Sequence, residues 1–414
     1  MTGFDWRDAY LCMSPPAALK HLETPFVYHI ARDELYEIDE TAAEFLLSCN
    51  GTKTGRDLTS DADFVEYCIE EGILNAWNNP NPTNVDMGEK ISPSLRYLEL
   101  HLTHQCNLRC AHCYIGDRGG IADMPVSEAV AITREFSDMG GLRLLISGGE
   151  PLVYKGLESY LREISGLKVR RVLLTNGMLI DWDTIKWLDV HEIQFSLDGW
   201  QAGHDRLRGG GAFARLMEGI RAAQAFGVDI SFSTMVHPYN TDQFDRMAAF
   251  VKDVEAVEWG IDVPCRAGPN GGSPYLFSDY DVCTPLMTYG FGGGHHGSTG
   301  DEDGGYACGR HLMTVMPDGR AAKCGFYMDR PTGDARTGLR GCWEKIEHLK
   351  LSDLECAGCP VIQACRGGCR FRAPTPLAPD PVMCSLHGVL PEAVSPAGGA
   401  PGNSPPGNSP MDPK

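Results

Sequence analysis

From residue 96 to 263 this chain alternates strand-like and helix-like segments, and that alternation constrains its fold more than any other feature. Residues 96–103, 142–147, 170–175, 192–197, 228–236 and 256–263 are short apolar runs bounded by turn residues. Between them, residues 126–139, 213–226 and 241–254 repeat apolar side chains at helical spacing. Strand–helix alternation implies a parallel sheet joined by right-handed crossovers. In such α/β folds the chemistry collects at the C-terminal ends of the strands. The residues just past each strand are therefore the first place to look for function.

Past the first strand lies HLTHQCNLRCAHCYIGD, which holds Cys106, Cys110 and Cys113. Three thiolates this close can ligate three irons of a [4Fe–4S] cube and leave the fourth iron open to a small molecule. A zinc site is the alternative, but it usually shows paired CxxC units and four ligands. Past the second strand comes Gly148-Gly149-Glu150-Pro151, where glycines admit close backbone approach and the carboxylate offers an acceptor to a cation. Thr175-Asn176-Gly177 follows the third strand and Ser196-Leu197-Asp198-Gly199 the fourth. His204, Asp205 and Arg208 come next in HDRLRGGGAF, and Asn240 follows the fifth strand. Taken singly, Asp198 would be a helix cap and Arg208 a surface charge.

In this order the motifs resemble those of radical S-adenosylmethionine (radical SAM) enzymes. The resemblance implies a partial (β/α)6 barrel over residues 94–265. It implies that Cys106, Cys110 and Cys113 hold a [4Fe–4S] cluster whose open iron chelates SAM. Gly148, Gly149 and Glu150 would then bind the SAM amino group. Ser196 and Asp198 would lie along the ribose, and Arg208 would reach the carboxylate. Such enzymes draw electrons from an external donor such as flavodoxin or ferredoxin.

A second cysteine set lies in the C-terminal third. Cys308, ten residues, Gly319, four residues and Cys324 are followed by Cys356-x2-Cys359-x5-Cys365-x3-Cys369 and then Cys384. This order resembles the SPASM domain, expected over residues 300–386, which carries two auxiliary [4Fe–4S] clusters. By that resemblance Cys356, Cys359, Cys365 and Cys384 hold a distal cluster, and Cys308, Cys324 and Cys369 a proximal one. The proximal set is one ligand short. Cys283, Cys342, an acid among Asp301, Glu302 and Asp303, or an open iron would complete it. Cys12, Cys49, Cys68 and Cys265 belong to no motif and read as buried structural thiols.

Residues 20–80 form a separate expected module. FVYHIARDELYEIDETAAEFLLSCNGTKTGRDL predicts a hairpin at 26–29 and 34–38, a helix from Thr41, a turn at Asn50-Gly51 and a further helix near 61–71. The pattern resembles the winged-helix-like peptide-recognition element related to the chaperone of pyrroloquinoline-quinone biosynthesis. Such elements hold the leader of a precursor peptide as an added strand at a sheet edge. Winged helices also bind DNA, but the acidic DELYEIDE run opposes phosphate. Residues 78–93, rich in Asn and Pro, are the expected linker to the barrel. The glycine-rich stretch 290–305 reads as a solvated loop despite His295 and His296. The tail, residues 391–414, is expected to be disordered.

Composition narrows the function further. The net charge of −19 over 414 residues excludes nucleic acid as a natural partner. No apolar run approaches the ~18 residues of a membrane span, and the N-terminus lacks a basic-then-apolar secretory pattern. Sixteen cysteines in that setting predict metal ligation in a reducing cytoplasm rather than disulfides. The expectation is thus an α/β radical SAM oxidoreductase with auxiliary clusters, acting through a 5′-deoxyadenosyl radical on a ribosomally synthesised precursor peptide. A tetrapyrrole or haem-biosynthesis enzyme and a sulfatase-type formylglycine maturase are the alternatives. An iron–sulfur electron carrier would explain the cysteines but neither the Gly-Gly-Glu-Pro turn nor the strand–helix alternation.

Overall fold

The computed structural model describes residues 5–59, 61–116, 120–265, 283–290 and 305–389. The expectations for His295, His296, Asp301, Glu302, Asp303 and residues 391–414 lie outside these. The chain opens with β1 (Tyr10–Met13), β2 (Ala17–His21), β3 (Pro25–His29), β4 (Glu34–Glu37), α1 (Glu40–Ser48), β5 (Asn50–Thr54), α2 (Gly55–Leu58), α3 (Ala62–Glu70) and β6 (Leu74–Trp77). Two three-stranded antiparallel sheets result, ordered β5-β1-β6 and β2-β3-β4. Asp39 and Asp61 cap α1 and α3 by accepting from the amides of Ala42 and Phe64. The predicted hairpin and both helices are present, and β1 with most of β2 lies ahead of residue 20. Asn50-Gly51 departs from expectation, being strand rather than turn. The linker crosses over it, so a Cβ on Gly51 would lie 1.9 Å from the Asn81 carbonyl oxygen. Cys12, Cys49 and Cys68 are buried here, and burial pushes the Cys49 and Cys68 thiols up to about 12.

The main sheet follows. Its strands β7 (Tyr97–Thr103), β8 (Arg143–Gly148), β9 (Arg170–Thr175), β10 (Glu192–Ser196), β11 (Asp229–Met235) and β12 (Glu258–Asp262) are parallel and adjacent in sequence order. The helices α4 (Val126–Asp138), α5 (Leu157–Ile164), α6 (Gln201–Arg208), α7 (Ala212–Phe226) and α8 (Phe244–Asp253) lie in the connections. Strands added in one direction with crossovers of one hand bring their helices to one face. The apolar parity of the strands turns that way: Leu98, Leu100, Leu102, Leu144, Ile146, Leu173, Phe195 and Phe232 share a core with Ile132 and Phe136 of α4 and Leu216 and Ile220 of α7. The opposite parity places Glu99, His101, Ser147, Gln194, Ser196 and Ser231 on the other face. That face is polar.

Beyond β12 come α9 (Cys283–Tyr289), β13 (Leu312–Val315), β14 (Arg320–Ala322), β15 (Gly333–Asp334), α10 (Leu339–Trp343), α11 (Ile362–Cys365) and α12 (Pro381–Leu386). β13 pairs parallel to β7, and β14 and β15 follow antiparallel, so the C-terminal region extends the same sheet to nine strands. Among the described residues no helix is long and apolar enough to cross a membrane.

The N-terminal module docks at the end of the sheet where the strands begin. Arg170, 2% exposed, donates to Glu192 at 3.1 Å, to Asp229 at 2.6 Å, and to the carbonyls of Ile30 and Ala31 at 3.0 and 2.9 Å. Arg143 pairs with Asp33 of the β3–β4 turn. Lys20 donates to the carbonyls of Gly141 and Lys168 at 2.9 and 2.7 Å. Burial, reinforced by Lys168, lowers the Lys20 ammonium from its usual range to about 7. The unfolded chain therefore binds the extra proton between about pH 7 and 10.5, and Lys20 contributes more stability as pH rises through that window. The stability difference between the wild type and Lys20→Met should shift towards the wild type by up to about 1.4 kcal/mol per pH unit there. Denaturant titrations of both proteins from pH 7 to 10 would check this, and a pH-independent difference would contradict it.

Candidate active site

The opposite end of the sheet, where the strands finish, carries the first cysteine set. The loop after β7 is anchored by Thr103, whose hydroxyl donates to Asp123 at 2.5 Å and accepts from the Gln105 amide at 3.0 Å. Cys106 and Cys113 are exposed and Cys110 is half-buried. The Leu108 amide donates to the Cys106 sulfur at 3.4 Å. Burial pushes the Cys110 thiol up to about 11 and raises that of Cys106. Such thiols become thiolates only when bound positive charge offsets the cost. Among the described residues no three His, Cys, Asp or Glu side chains converge as they do around a single ion. The donor set of three thiols on one exposed loop fits separate irons of a cube better than zinc.

Gly148 and Gly149 lie directly against this loop. Gly148 has a φ of +126°, and a Cβ there would be 2.2 Å from the Thr103 carbonyl oxygen. A Cβ on Gly149 would be 2.1 Å from the carbonyl oxygen of Gln105. The Gly149 and Glu150 amides donate to those same two carbonyls at 2.8 and 2.9 Å. The glycines thus serve the close approach of two backbones, whatever they do for a ligand.

Glu150 is 1% exposed. Its carboxylate accepts from the Leu152 amide at 3.2 Å, the Thr175 hydroxyl at 2.8 Å and the Asn176 amide at 2.9 Å. Burial raises its pKa even against these bonds. A cation placed beside it would stabilise the ionised form. Asn176 also donates to Asn107 inside the cysteine loop at 2.7 Å, which ties the third strand end to the first.

Asp198, equally buried, pairs with Arg208 at 2.5 Å and accepts from the Met235 amide at 2.7 Å. Burial opposes its ionisation, but Arg208, His112, His204 and the Met235 amide together outweigh burial and hold the carboxyl well below the usual range. Asp198 is therefore an ion-pair partner and no helix cap. Ser196 is half-buried at the end of β10. Asn240 accepts from the His237 amide and donates to the carbonyls of Asp198 and Met235. Its amide thus holds the loop after β11.

Two groups carried no sequence signal. His112, between Cys110 and Cys113, has a buried Nδ1 with no hydrogen-bond partner, and burial lowers its pKa to about 4. On the polar face, Glu99 bonds His101 at 3.0 Å and the Thr314 hydroxyl at 2.7 Å, and His101 meets His104 at 3.2 Å. Burial opposes ionisation of Glu99, yet His101, Thr314 and Ser147 outweigh it and hold the carboxyl at about 2. Period-two alternation marked these positions only as polar.

The second cysteine set divides in space as well as in sequence. Cys356, Cys359, Cys365 and Cys384 line one small pocket with Gly367, Asp380 and Met383. Cys308, Cys324 and Cys369 lie within electrostatic reach of one another. The Arg370 amide donates to the Cys308 sulfur at 3.4 Å. Beside them stands Cys265, buried as expected and next to Cys369. Cys342, one of the groups considered for the missing position, is buried in the main core, its sulfur 2.7 Å from where a Cβ on Gly333 would stand. Cys283 starts α9 and packs against the same core.

With this geometry in place, known proteins can be compared. The sequence profile of the Radical SAM superfamily matches residues 100–251. An AdoMet-dependent heme synthase of Oleidesulfovibrio alaskensis is 26% identical, with 68% of this chain and 84% of that protein covered. The antilisterial bacteriocin subtilosin biosynthesis protein AlbA of Bacillus subtilis is 23% identical, with 54% and 55% covered. Crystal structures of Streptococcus suis SuiB, bound to S-adenosylmethionine or to the precursor peptide SuiA, superpose with a TM-score of 0.65 over 91% of this chain and 100% of theirs. Their identities of 16% and 17% establish a shared fold. The cysteine triad therefore sits at the strand ends of the segment, residues 100–251, that matches the Radical SAM superfamily profile.

Proposed function

We propose that this protein modifies a ribosomally made precursor peptide by radical SAM chemistry. The observation that supports the reading is the likeness of fold to SuiB, which covers 91% of this chain. Cys106, Cys110 and Cys113 would hold the cluster, leaving one iron for SAM. Bound there, the cluster and SAM would supply a 5′-deoxyadenosyl radical for hydrogen-atom abstraction from substrate. Glu150, whose hydrogen-bond donors are all neutral, would receive the SAM ammonium. Arg208, oriented by Asp198, would take the SAM carboxylate, and Ser196 would lie along the ribose. Cys356, Cys359, Cys365 and Cys384 form the distal auxiliary site, and Cys308, Cys324 and Cys369 belong to the proximal one.

The substrate would face the polar side of the sheet, where Glu99 bonds His101. The leader adds as a strand to the edge β4, which among the described residues pairs only with β3. An external flavodoxin or ferredoxin supplies electrons. The 26% identity with a heme synthase over most of that protein supports a second reading, a tetrapyrrole substrate. Anaerobic enzyme with dithionite and SAM, offered short peptides encoded beside its gene or an iron porphyrin, separates the two. A SAM-dependent mass change in a peptide is expected. Turnover of the porphyrin with every peptide unchanged would overturn the peptide reading.

A further inference from the structure

We propose that Cys265 is the fourth thiolate of the proximal auxiliary site, which is therefore closed to substrate. This rests on the reading of the C-terminal cysteines as cluster ligands. Three observations converge on it. Cys265 stands beside Cys369, and so do Cys308 and Cys324. Cys265 is itself buried, 9% exposed, so its partners are protein groups rather than solvent.

Its position is also braced. Cys265 follows β12, whose last residue, Asp262, accepts from Arg372 at 3.0 Å. The other edge of the same guanidinium bonds Asp380 at 3.0 and 2.7 Å. Asp380 in turn accepts from the Cys369 amide at 2.8 Å. One buried arginine thus ties the strand end carrying Cys265 to the loop carrying Cys369. A Cβ on Gly368 would lie 2.5 Å from the Asp380 carboxylate, so that loop has no room to shift.

Of the other thiols considered for this position, Cys342 is buried in the main core against Gly333, and Cys283 packs against that core from the start of α9. Four thiolates saturate the four irons of a cube. A saturated site exchanges electrons with substrate but does not bind a substrate sulfur. The ligand set also joins the parallel sheet to the C-terminal region, so assembling it locks the two together.

The test uses full-length protein with Cys106, Cys110 and Cys113 replaced by alanine, reconstituted anaerobically. This background should hold about eight irons per chain, from two four-iron clusters. Adding Cys265→Ala should halve the iron or leave a cluster whose EPR spectrum shifts with cyanide, which the background spectrum does not. Cys265→Ser, which keeps an oxygen ligand and the packing, should retain iron with an altered EPR spectrum. Adding Cys283→Ala should change neither iron nor spectrum. Unchanged iron and spectra in both Cys265 variants, with cyanide already perturbing the background, would overturn the proposal. A background protein without iron would instead overturn the cluster reading of the C-terminal cysteines.

Discussion

Replacing Cys106, Cys110 and Cys113 together with alanine should reduce 5′-deoxyadenosine formation from SAM to the uncatalysed background. The three thiols share one loop, and no other thiol of the described residues is grouped with them, so no neighbour can take over their ligation. Cysteines of the C-terminal set lie in separate groups and should keep their iron in the variant. The measurement is anaerobic SAM cleavage with dithionite, followed by chromatography, beside iron analysis of the same protein. Deoxyadenosine at the wild-type rate in the triple variant would refute the assignment of the SAM site to this loop.

Gly149→Ala should have nearly as large an effect through a single methyl group. The added carbon would stand 2.1 Å from the Gln105 carbonyl oxygen and 2.7 Å from its carbon. Backbone cannot swing aside as a side-chain tip can, so the loop bearing Cys106 must move. A displacement of ~1 Å at a reacting centre can cost ~10²-fold in rate. Overpacking of this kind typically costs ~1–3 kcal/mol of stability. We expect SAM cleavage to fall by ~10²-fold or more, with iron lost from the triad site. Gly166→Ala, with no atom within 4 Å of the new carbon, is the control and should be silent. Wild-type cleavage in Gly149→Ala would show that the two backbones are not held as described.

The two substitutions mark different depths of legibility. The cysteine triad can be read from residue type and spacing, because ligands supplied by one short loop are local information. Gly148 and Gly149 stand out in the sequence as well, but as a surface offered to a ligand. In the structure they are first a contact between the ends of β7 and β8. Asn240 adds to the same lesson: its place after a strand marks it in the sequence, and in the structure its amide bonds three local backbone groups.

The N-terminal module shows where periodicity runs out. Its central hairpin and helices follow from alternation and caps, whereas β1, β2, β5 and β6 are short strands with little pattern of their own. They exist because partners distant in sequence complete their hydrogen bonds, as Asn50–Thr54 does against β1 and under the linker. Its docking on Arg143 and Arg170 likewise depends on arginines more than a hundred positions downstream of the β3–β4 turn.

By itself, the sequence implied the parallel sheet of β7 to β12 and the loop that carries the first thiols, both encoded by neighbours along the chain through strand–helix period or ligand spacing. The grouping of Cys356, Cys359, Cys365 and Cys384 came from the resemblance of their order to a known domain. Only the tertiary structure decided that Cys265 stands beside Cys369, that Arg372 braces both segments, and that Glu99 and His101 share the polar face with Thr314. Those pairings join residues separated by most of a domain. Their physical cause is the closing of β13 onto β7 and of Arg372 onto Asp262 and Asp380, contacts that no local pattern specifies.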